Sequence, residues 1–586
     1  LCTWIRSSDN IVKDSPDCLT VRLQEGQTIC CLGLYRLVVR RGAVEVCKAT
    51  LHEGSEPQTI YAPTTHALPL IKCLSPRSAE VSFLSIPKAV NRLTLLNRFS
   101  PSFRRIWNES LDQDTESVSF ARRSFNTVLH SSEDALQRYL RPLEIPPESV
   151  PYLDRSVRQV IAVIGPKSSG KSVISKALLN SHLTRLREPF QALFFIDLDH
   201  ASQELSLHGQ ITAYLVQKPL LGPAYTHMYA HESKAFEIIR AHPIPLNGPK
   251  DNEEHFIACA LNLFQACLHS SSNTLSSSSL ASLPIIIKFP SLQQGFSSAI
   301  TMSLLRAVRP THTISSARGP PKVLDDIALA SSSGSLHEAA SVQATSGSRT
   351  ADELRDMHLL SWFHQSRDFG SSTAWSDVLL MSQKPLCVSY ASESPDFAAV
   401  LCFPGSLPKG KLRSLLDASL ISIVLVEDSD YMSSLDICYE GEDGIPYVNH
   451  QPGKYTTPLD PGKSRLVGVG LIRGISRETQ HIQILSSLAL STLDRETLPP
   501  ERTLLVHGCF DLPKAILFEQ MFYEASFDGE FRPGAQGNEE TVQLDDSLPA
   551  RHIAAPYVEI DNGESRQRRE GEAKWKSRRF NMGGSG

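Results

Sequence analysis

The stretch VIAVIGPKSSGKSVISKALLN, residues 160–180, joins an apolar run, a glycine loop and a helix-like run. Its loop has the spacing Gly-x-x-x-x-Gly-Lys-Ser, in which Gly165 and Gly170 allow successive backbone N–H groups to point inward. The order strand, loop, helix is the context that identifies a phosphate-binding loop. The pattern therefore predicts a buried parallel strand that leads into a nucleotide-phosphate site at a helix N-terminus.

The predicted nucleotide site is a run of nine consecutive residues. Lys171 is expected to reach the β- and γ-phosphates, and the hydroxyl of Ser172 is expected to bind Mg²⁺. ATP and Mg²⁺ are therefore the predicted cofactors. An accidental loop of the same residue types is the alternative, which the flanking strand and helix disfavour. The residues of the run are Gly165, Pro166, Lys167, Ser168, Ser169, Gly170, Lys171, Ser172 and Val173.

Two aspartates end the next apolar run, ALFFIDLD. Because Asp197 and Asp199 alternate, both point to one face of the strand where it ends. Asp197 is predicted to help hold Mg²⁺, and Asp199 is predicted to accept a proton from an attacking hydroxyl. The alternative is a pair of solvated turn residues, since Asp is common in turns.

The rest of the chain divides by pattern into four parts. Short apolar runs alternate with helical stretches over 146–378, which predicts a parallel sheet covered by helices on both faces. β-Branched runs broken by turn residues predict a sandwich-like β-rich domain over 1–145 and a second β-rich domain over 379–530. The remainder, 531–586, is polar and basic and is interpreted as a tail.

Composition narrows the classes of partner. The 586 residues carry a formal net charge of −5, which excludes a globally basic surface and leaves local basic patches for any nucleic acid. The 12 cysteines are irregularly spaced without Cys-x-x-Cys, which favours a reducing compartment over disulfides or zinc. Apolar runs stay short of the roughly 18 residues of a membrane span, so no membrane partner is expected.

Several segments after the loop keep the spacing of one family. Asp199, Glu204, Gly209 and Gln210 match Asp-Pro-Gly-Gln-Pro-Glu…Gly-Gln. The segments KPLLGPAYTHM, LLRAVRPTHTI, LRDMHLLSWFHQ and LVGVGLIRGIS match Pro-Leu-Leu-Gly-Pro-x-x-Thr-His, Arg-Pro-Thr-His, Ser-Tyr-Phe-His and Gly-x-x-Arg-Gly. In these the chain resembles the eukaryotic polynucleotide 5′-hydroxyl kinases over most of its length. The Pro-Leu-Leu-Gly-Pro segment favours their fungal nucleolar branch, which processes pre-ribosomal RNA.

The resemblance implies a P-loop kinase domain that transfers the γ-phosphate of ATP to the 5′-hydroxyl of an RNA end. Lys171, Asp199 and Asp197 are then the catalytic candidates. A lid arginine would stabilise the transferring phosphate, and Arg349 and Arg355 are its candidates, with ordinary solvated arginines as the alternative. The residues assigned to the RNA end are Glu204, Gln210, Thr226, His227, Lys288 and Phe289. The last two stand where the family pattern is lost, and from their own chemistry Lys288 is expected to offer charge and Phe289 to stack on a base. A core strand and turn is the alternative for that segment.

The resemblance also implies a partner and a location. Kinases of the nucleolar branch act beside an HEPN-type endonuclease that cuts the second internal transcribed spacer, so a nuclear, nucleolar hetero-tetramer with two copies of each protein is expected. The basic segment KWKSRRF places Trp575, Arg578 and Arg579 as partner contacts, since Trp and Arg are frequent at interface hot spots. A solubilising or nuclear-localising tail is the alternative.

Three departures from the family keep other functions open. Pro, Gly and Gln of the acidic signature are lost, and Trp362 replaces a tyrosine. The family's Asn-Thr-x-Gly-Trp clasp, which braces the nucleotide and the RNA end, is replaced by the residues 288–292, KFPSL. An active RNA kinase therefore competes with two alternatives, an ATP-using regulator of an assembly and a nuclease-activating scaffold with weak or no transfer. A kinase subunit of an mRNA or tRNA processing complex is a further alternative.

Overall fold

The structure is a computed structural model. The chain divides into two compact units, Leu1–Phe531 and Arg532–Gly586, and the second unit lies outside the described residues. The described residues are 1–87, 92–108, 123–134, 136–151, 158–186, 189–227, 235–244, 252–273, 283–292, 296–316, 326–327, 329, 334–342, 348–366, 374–403, 412–439, 444–449, 458–486, 498–508 and 514–527.

The N-terminal part forms a nine-stranded sheet in the order β1-β2-β8-β3-β7-β4-β5, with β6 and β9 also paired to β3. Tyr35, Phe83 and Phe125 form its aromatic core, with ring centroids 5.5–5.8 Å apart. The strands are β1 (Ile11–Ser15), β2 (Cys18–Gln24), β3 (Thr28–Arg41), β4 (Ala43–Val46), β5 (Ala49–His52), β6 (Gln58–Ala62), β7 (Leu70–Cys73), β8 (Ser78–Ser85) and β9 (Phe125–Thr127).

A seven-stranded sheet in the order β13-β12-β11-β14-β10-β15-β16 carries the phosphate loop. The apolar run at 160–164 is the fully buried strand β10. The strands are β10 (Val160–Ile164), β11 (Leu193–Asp197), β12 (Gln210–Val216), β13 (Phe236–Pro243), β14 (Ile285–Lys288), β15 (His312–Ser315) and β16 (Ser335–Glu338).

The expectation of a wholly parallel sheet is wrong for one strand, β12, which runs against the other six. β11, β14, β10, β15 and β16 are parallel, whereas β12 pairs antiparallel with both β11 and β13. The connection from β11 to β12, residues 198–209, contains no helix. A parallel return needs a crossover, usually through a helix, so this shorter connection reverses the chain direction.

The structure defines the bounds of eight α-helices within the described residues. The helix after the phosphate loop, α1, packs against β10, β14 and β5, and α2 packs against α3, β12 and β13. Within the described ranges, no helix has both the length and the apolar character that a membrane crossing requires. The helices are α1 (Lys171–Thr184), α2 (Glu253–Asn273), α3 (Phe296–Val308), α4 (Ala351–Phe363), α5 (Leu412–Leu416), α6 (Ser429–Ser433), α7 (Lys514–Leu517) and α8 (Glu519–Phe527).

After the short pair β17 (Gln365–Ser366) and β18 (Ala374–Trp375), the chain forms an eight-stranded sheet in the order β19-β25-β24-β21-β26-β20-β23-β22. The apolar run LISIVLV is its fully buried strand β21. The boundaries of the predicted domains stay predictions. The strands are β19 (Leu386–Ser389), β20 (Ala399–Cys402), β21 (Leu420–Val426), β22 (Ile437–Tyr439), β23 (Pro446–Val448), β24 (Ser464–Ser476), β25 (His481–Ser486) and β26 (Thr503–His507).

A buried contact between a carboxylate and an imidazole anchors α8. The Glu519 carboxylate lies 2.8 Å from His364 Nε2 and accepts a hydrogen bond from the Leu380 backbone at 3.0 Å. Both side chains of this contact are fully buried. Glu519→Ala would leave the imidazole and the amide without this acceptor, so we expect a loss of about 3 kcal/mol in unfolding free energy, measured by urea denaturation.

The same helix offers a matched control. Glu524 is exposed and accepts a hydrogen bond only from its helix neighbour Gln520 among the bonds described. Glu524→Ala is expected to change the unfolding free energy by less than about 0.5 kcal/mol. Equal losses of unfolding free energy in the two variants would show that the contact between Glu519 and His364 does not stabilise the fold.

Candidate active site

The phosphate loop connects β10 to α1 through residues that need a special backbone. Gly170 has φ +93°, and a Cβ there would lie 2.6 Å from the Val342 carbonyl oxygen. A Cβ on Gly165 would lie 2.1 Å from Ser316 Oγ. Both positions therefore require glycine, as the sequence pattern predicts. The backbone loop opens at the N-terminus of α1, where N–H groups and the helix dipole attract phosphate.

Lys171 is held inside the loop that it follows. Its Nζ donates to the Pro166 carbonyl at 3.0 Å and to Ser291 Oγ at 2.9 Å, and lies 4.0 Å from Asp199 Oδ2. Burial lowers the pKa of Lys171 to about 8, although the Asp199 carboxylate acts in the opposite direction. The ammonium is still mainly protonated at neutral pH, so it can pair with a phosphate.

The Asp199 carboxylate lies in a turn that its neighbours fix. The Asp199 backbone N–H donates to Asp197 Oδ1 at 3.1 Å, and Gln203 Nε2 donates to the Asp199 carbonyl at 3.0 Å. Gln203 also donates to the Asp197 carbonyl at 3.2 Å. The structure thus brings Lys171 and Asp199 together, as the two predicted catalytic roles require. The roles themselves stay predictions.

Asp197 is fully buried beside Lys288, its direct neighbour on the parallel strand β14. Lys288 Nζ lies 2.9 Å from Asp197 Oδ2 and 3.4 Å from Ser172 Oγ, and it donates to the Ser202 carbonyl. The Asp197 carboxylate also accepts the Glu204 backbone N–H at 3.0 Å. Burial lowers the pKa of Lys288, but the surrounding carboxylates of Asp197, Asp199 and Glu204 outweigh that effect and raise the pKa above its usual range.

This arrangement tests the fit of the predicted Mg²⁺ site. Ser172 and Asp197 were its expected ligands, and the ammonium of Lys288 already contacts an oxygen of each. A divalent ion bridging those two oxygens would meet a buried like charge. Asp197 therefore does not fit as a metal ligand here, which corrects that assignment. Elsewhere in the described ranges, no group of three or more His, Cys, Asp or Glu side chains is placed to hold a metal ion.

Four residues assigned to the RNA end have buried side chains, and two of them, Glu204 and His227, are in contact. Glu204 Oε1 lies 2.9 Å from Lys176 Nζ and 3.0 Å from His227 Nδ1. Burial raises the pKa of Glu204, but Lys176 and His227 together outweigh it and hold that pKa below the usual range. Thr226 donates to the Pro223 carbonyl at 2.7 Å, and Gln210 is a buried residue at the start of β12. Their burial leaves little of these side chains exposed in this structure.

The segment that replaces the family clasp behaves as core strand and turn. Phe289 is fully buried, so the expectation that its ring stacks on a base is wrong for this structure, because no face of the ring is accessible. Lys288 is equally buried and pairs with Asp197, so it does not reach RNA. Ser291 is the residue that faces the phosphate loop, through its contact with Lys171.

The two lid candidates are held by contacts outside the phosphate loop. Arg349 donates to the carbonyls of Ser102 and Arg104 at 2.9 and 2.7 Å. Arg355 pairs with Asp352 in the first turn of α4. A role in closing over phosphate stays a prediction for both. The partner candidates Trp575, Arg578 and Arg579 lie outside the described residues.

Two family-like segments that are far apart in sequence are in contact. Ser361, in LLSWFHQ, donates to the Tyr225 carbonyl, in GPAYTHM, at 2.6 Å. Trp375 Nε1 in turn donates to Ser361 Oγ at 2.7 Å. The Tyr225 hydroxyl lies 2.8 Å from Thr65 Oγ1, which ties the segment to the N-terminal sheet region. These polar links hold the two segments together and to the N-terminal sheet region.

Sequence reasoning missed three residues of the site. Lys176 neutralises Glu204. It lies one helical turn after Ser172, and that spacing could have identified it from the sequence. The hydroxyl oxygens of Ser316 and Ser169 lie 2.6 Å apart. The position of Ser316 directly after β15 is the sequence signal that could have identified it. The link between Ser291 and Lys171 had no sequence signal, since it depends on the packing of β14 beside β10.

Comparison with known proteins gives a family model over part of the chain and sequence relatives over most of it. The family described as mRNA cleavage and polyadenylation factor CLP1 P-loop matches residues 165–365. A polynucleotide 5′-hydroxyl-kinase grc3 of Emericella nidulans is 27% identical and covers 98% of this chain and 78% of its own. Homologues of the same name from Aspergillus oryzae and Gibberella zeae are 28% and 26% identical, over 92% and 93% of this chain.

Among solved structures, a Clp1p–Pcf11p complex is similar at a TM-score of 0.48 and 12% identity, over 84% of this chain and 98% of the other. The sequence relatives span most of the chain and share one printed name. The resemblance that the segments after the phosphate loop predict is therefore confirmed.

Proposed function

We propose that this chain is an ATP-dependent polynucleotide 5′-hydroxyl kinase, which transfers the γ-phosphate of ATP to the 5′-hydroxyl of RNA. The observation that carries the proposal is the pairing of Lys171, inside the phosphate loop, with Asp199 at 4.0 Å. A loop that binds phosphate and an acid that can accept a proton are thus adjacent. The names of the relatives specify the acceptor as a polynucleotide 5′-hydroxyl.

The reaction uses this chain's residues in three ways. The loop amides and Lys171 bind the β- and γ-phosphates and neutralise their charge. The 5′-oxygen of the RNA attacks the γ-phosphorus, the bond to the bridging oxygen of ADP breaks, and the hydroxyl proton passes to Asp199. We propose that Mg²⁺ accompanies the nucleotide, with Ser172 as the only residue assigned to it.

A transfer assay tests the proposal. The chain is incubated with γ-labelled ATP and a 5′-hydroxyl RNA, alone and with its partner nuclease. Labelled RNA is expected. Labelled inorganic phosphate without labelled RNA would indicate an ATP-using regulator, and neither product, with the nuclease still activated, would indicate a scaffold.

The scaffold is the second candidate function, because one observation favours it. Phe289 is buried and Lys288 is engaged with Asp197, so the segment that replaces the clasp offers neither side chain to RNA. The phosphate loop, Lys171 and Asp199 remain assembled, which supports transfer. The kinase is therefore the primary proposal.

The finer setting follows the resembled branch. We propose that the RNA ends come from a partner HEPN-type endonuclease during cleavage of a pre-ribosomal spacer, in a nucleolar assembly with two copies of each protein. Membership of an mRNA or tRNA processing complex is the competing proposal. Co-purification from nucleolar extract with an endonuclease, and not with cleavage-factor or splicing subunits, is the expected result.

The tail is expected to act on the partner. Deleting 566–580, or Trp575→Ala, is expected to lower nuclease activation severalfold, because Trp within a basic run is a typical interface anchor. ATP binding should be unchanged. The buried Trp362 of the folded unit is left in place in both variants. Unchanged cleavage rates in the truncated complex would exclude this role.

A further inference from the structure

Lys288 lies where the sequence predicts a metal ion. Its side chain is fully buried and ends between the phosphate-loop hydroxyl of Ser172, at 3.4 Å, and the carboxylate of Asp197, at 2.9 Å. A lysine is almost never fully buried unless it is paired, so this placement requires the surrounding oxygens. The third contact, to the Ser202 carbonyl, uses the remaining ammonium proton.

The charges around the loop balance without a metal. The 2.9 Å contact between Lys288 Nζ and Asp197 Oδ2 places a cation beside a carboxylate inside the fold. Counted at their formal charges, Lys171 and Lys288 offset Asp197 and Asp199, so the four side chains sum to zero. A neutral residue at 288 would leave the same cluster at −1, which repels a nucleoside triphosphate. A divalent ion would then be needed to restore attraction.

We propose that Lys288 is a fixed cation of the nucleotide site, which takes the place between Ser172 and Asp197 and makes nucleoside-triphosphate binding tolerant of Mg²⁺ removal. The inference rests on the proposed function only in taking a nucleoside triphosphate as the ligand. Asp197 is a positioning residue in this scheme, since it holds the ammonium and, through the Asp199 backbone, the catalytic turn.

The test measures binding of a fluorescent, non-hydrolysable ATP analogue to the full chain, in excess MgCl₂ and in excess EDTA. EDTA is expected to weaken binding to the wild type by less than about tenfold, and binding to Lys288→Asn by about 10² or more. Lys288→Arg, which keeps the charge, is expected to retain the tolerance. The matched control is Lys218→Asn, at an exposed lysine paired with Glu56, and it should behave as the wild type.

A second measurement does not depend on nucleotide. Titration of MgCl₂ into the nucleotide-free wild type is expected to give no binding heat from this cluster, whereas Lys288→Asn gains a site from the freed oxygens of Ser172 and Asp197. Circular dichroism checks that the variant folds, because it leaves Asp197 without its buried counter-ion. If the variant does not fold, the wild-type comparison alone decides the proposal.

The outcomes separate this inference from the kinase proposal. If EDTA weakens the affinity of the wild type for the ATP analogue by about 10² or more, the proposed role of Lys288 is overturned, whether or not the protein labels RNA. Tolerance of EDTA without RNA labelling supports the role of Lys288 and counts against the kinase. Equal EDTA sensitivity in a folded Lys288→Asn and the wild type also overturns the inference.

Discussion

Lys171→Ala is expected to lower the rate of phosphate transfer from ATP to a 5′-hydroxyl RNA by about 10³ or more. The ammonium lies inside the phosphate loop, where it donates hydrogen bonds to the Pro166 carbonyl and to Ser291 Oγ. In transfer, negative charge spreads over the γ-phosphate oxygens, and a buried cation stabilises that charge more than the ground state. Single-turnover transfer of labelled phosphate measures the effect.

Two observations make this test specific. Lys171→Ala leaves the buried Asp199 carboxylate without its neighbouring cation, so thermal unfolding is measured beside transfer to show that the variant is folded at the assay temperature. Lys218→Ala, at an exposed surface pair, removes the same charge elsewhere and is expected to leave transfer unchanged. Transfer by Lys171→Ala within tenfold of the wild type would contradict the assignment of the loop to the reacting phosphates.

The sequence was informative about the fold where patterns are local. Residues 160–180 predicted β10, the loop and α1, because an apolar run, two glycines and a helical run are consecutive. The antiparallel strand β12 was missed, since its apolar residues look the same in either direction and only the short connection after Asp197 distinguishes them. Strand direction depends on connection length as much as on strand composition.

Within the site, the local spacing of residues identified the candidate side chains, but the packing of the strands determines which side chains are in contact. The register of β11 beside β14 places Asp197 next to Lys288, although 91 residues separate them. No local pattern carries that information, so Lys288 was assigned to RNA and Asp197 to metal. The burial of Phe289 agrees with the alternative that the sequence left open for this segment, core strand and turn.

Asp199→Asn is expected to lower the rate of transfer by about 10² to 10⁴ while leaving ATP affinity within about threefold of the wild type. The substitution keeps the size of the side chain and the backbone links of the turn to Asp197 and Gln203. It removes the group that accepts the proton from the attacking hydroxyl, which binding of ATP does not need. A fall in the transfer rate at saturating ATP, with the ATP-analogue affinity retained, is therefore the expected combination.

The pair Lys171 and Asp199 gives this prediction a second readout. Their 4.0 Å separation means that the carboxylate also supports the lysine charge, so a purely electrostatic role would appear as weaker nucleotide binding, with transfer at saturating ATP preserved. Asp9→Asn, at an exposed aspartate of the N-terminal segment, controls for loss of a negative charge. Transfer by Asp199→Asn at the wild-type rate would exclude Asp199 as the base, and a loss confined to ATP binding would reassign it to holding Lys171.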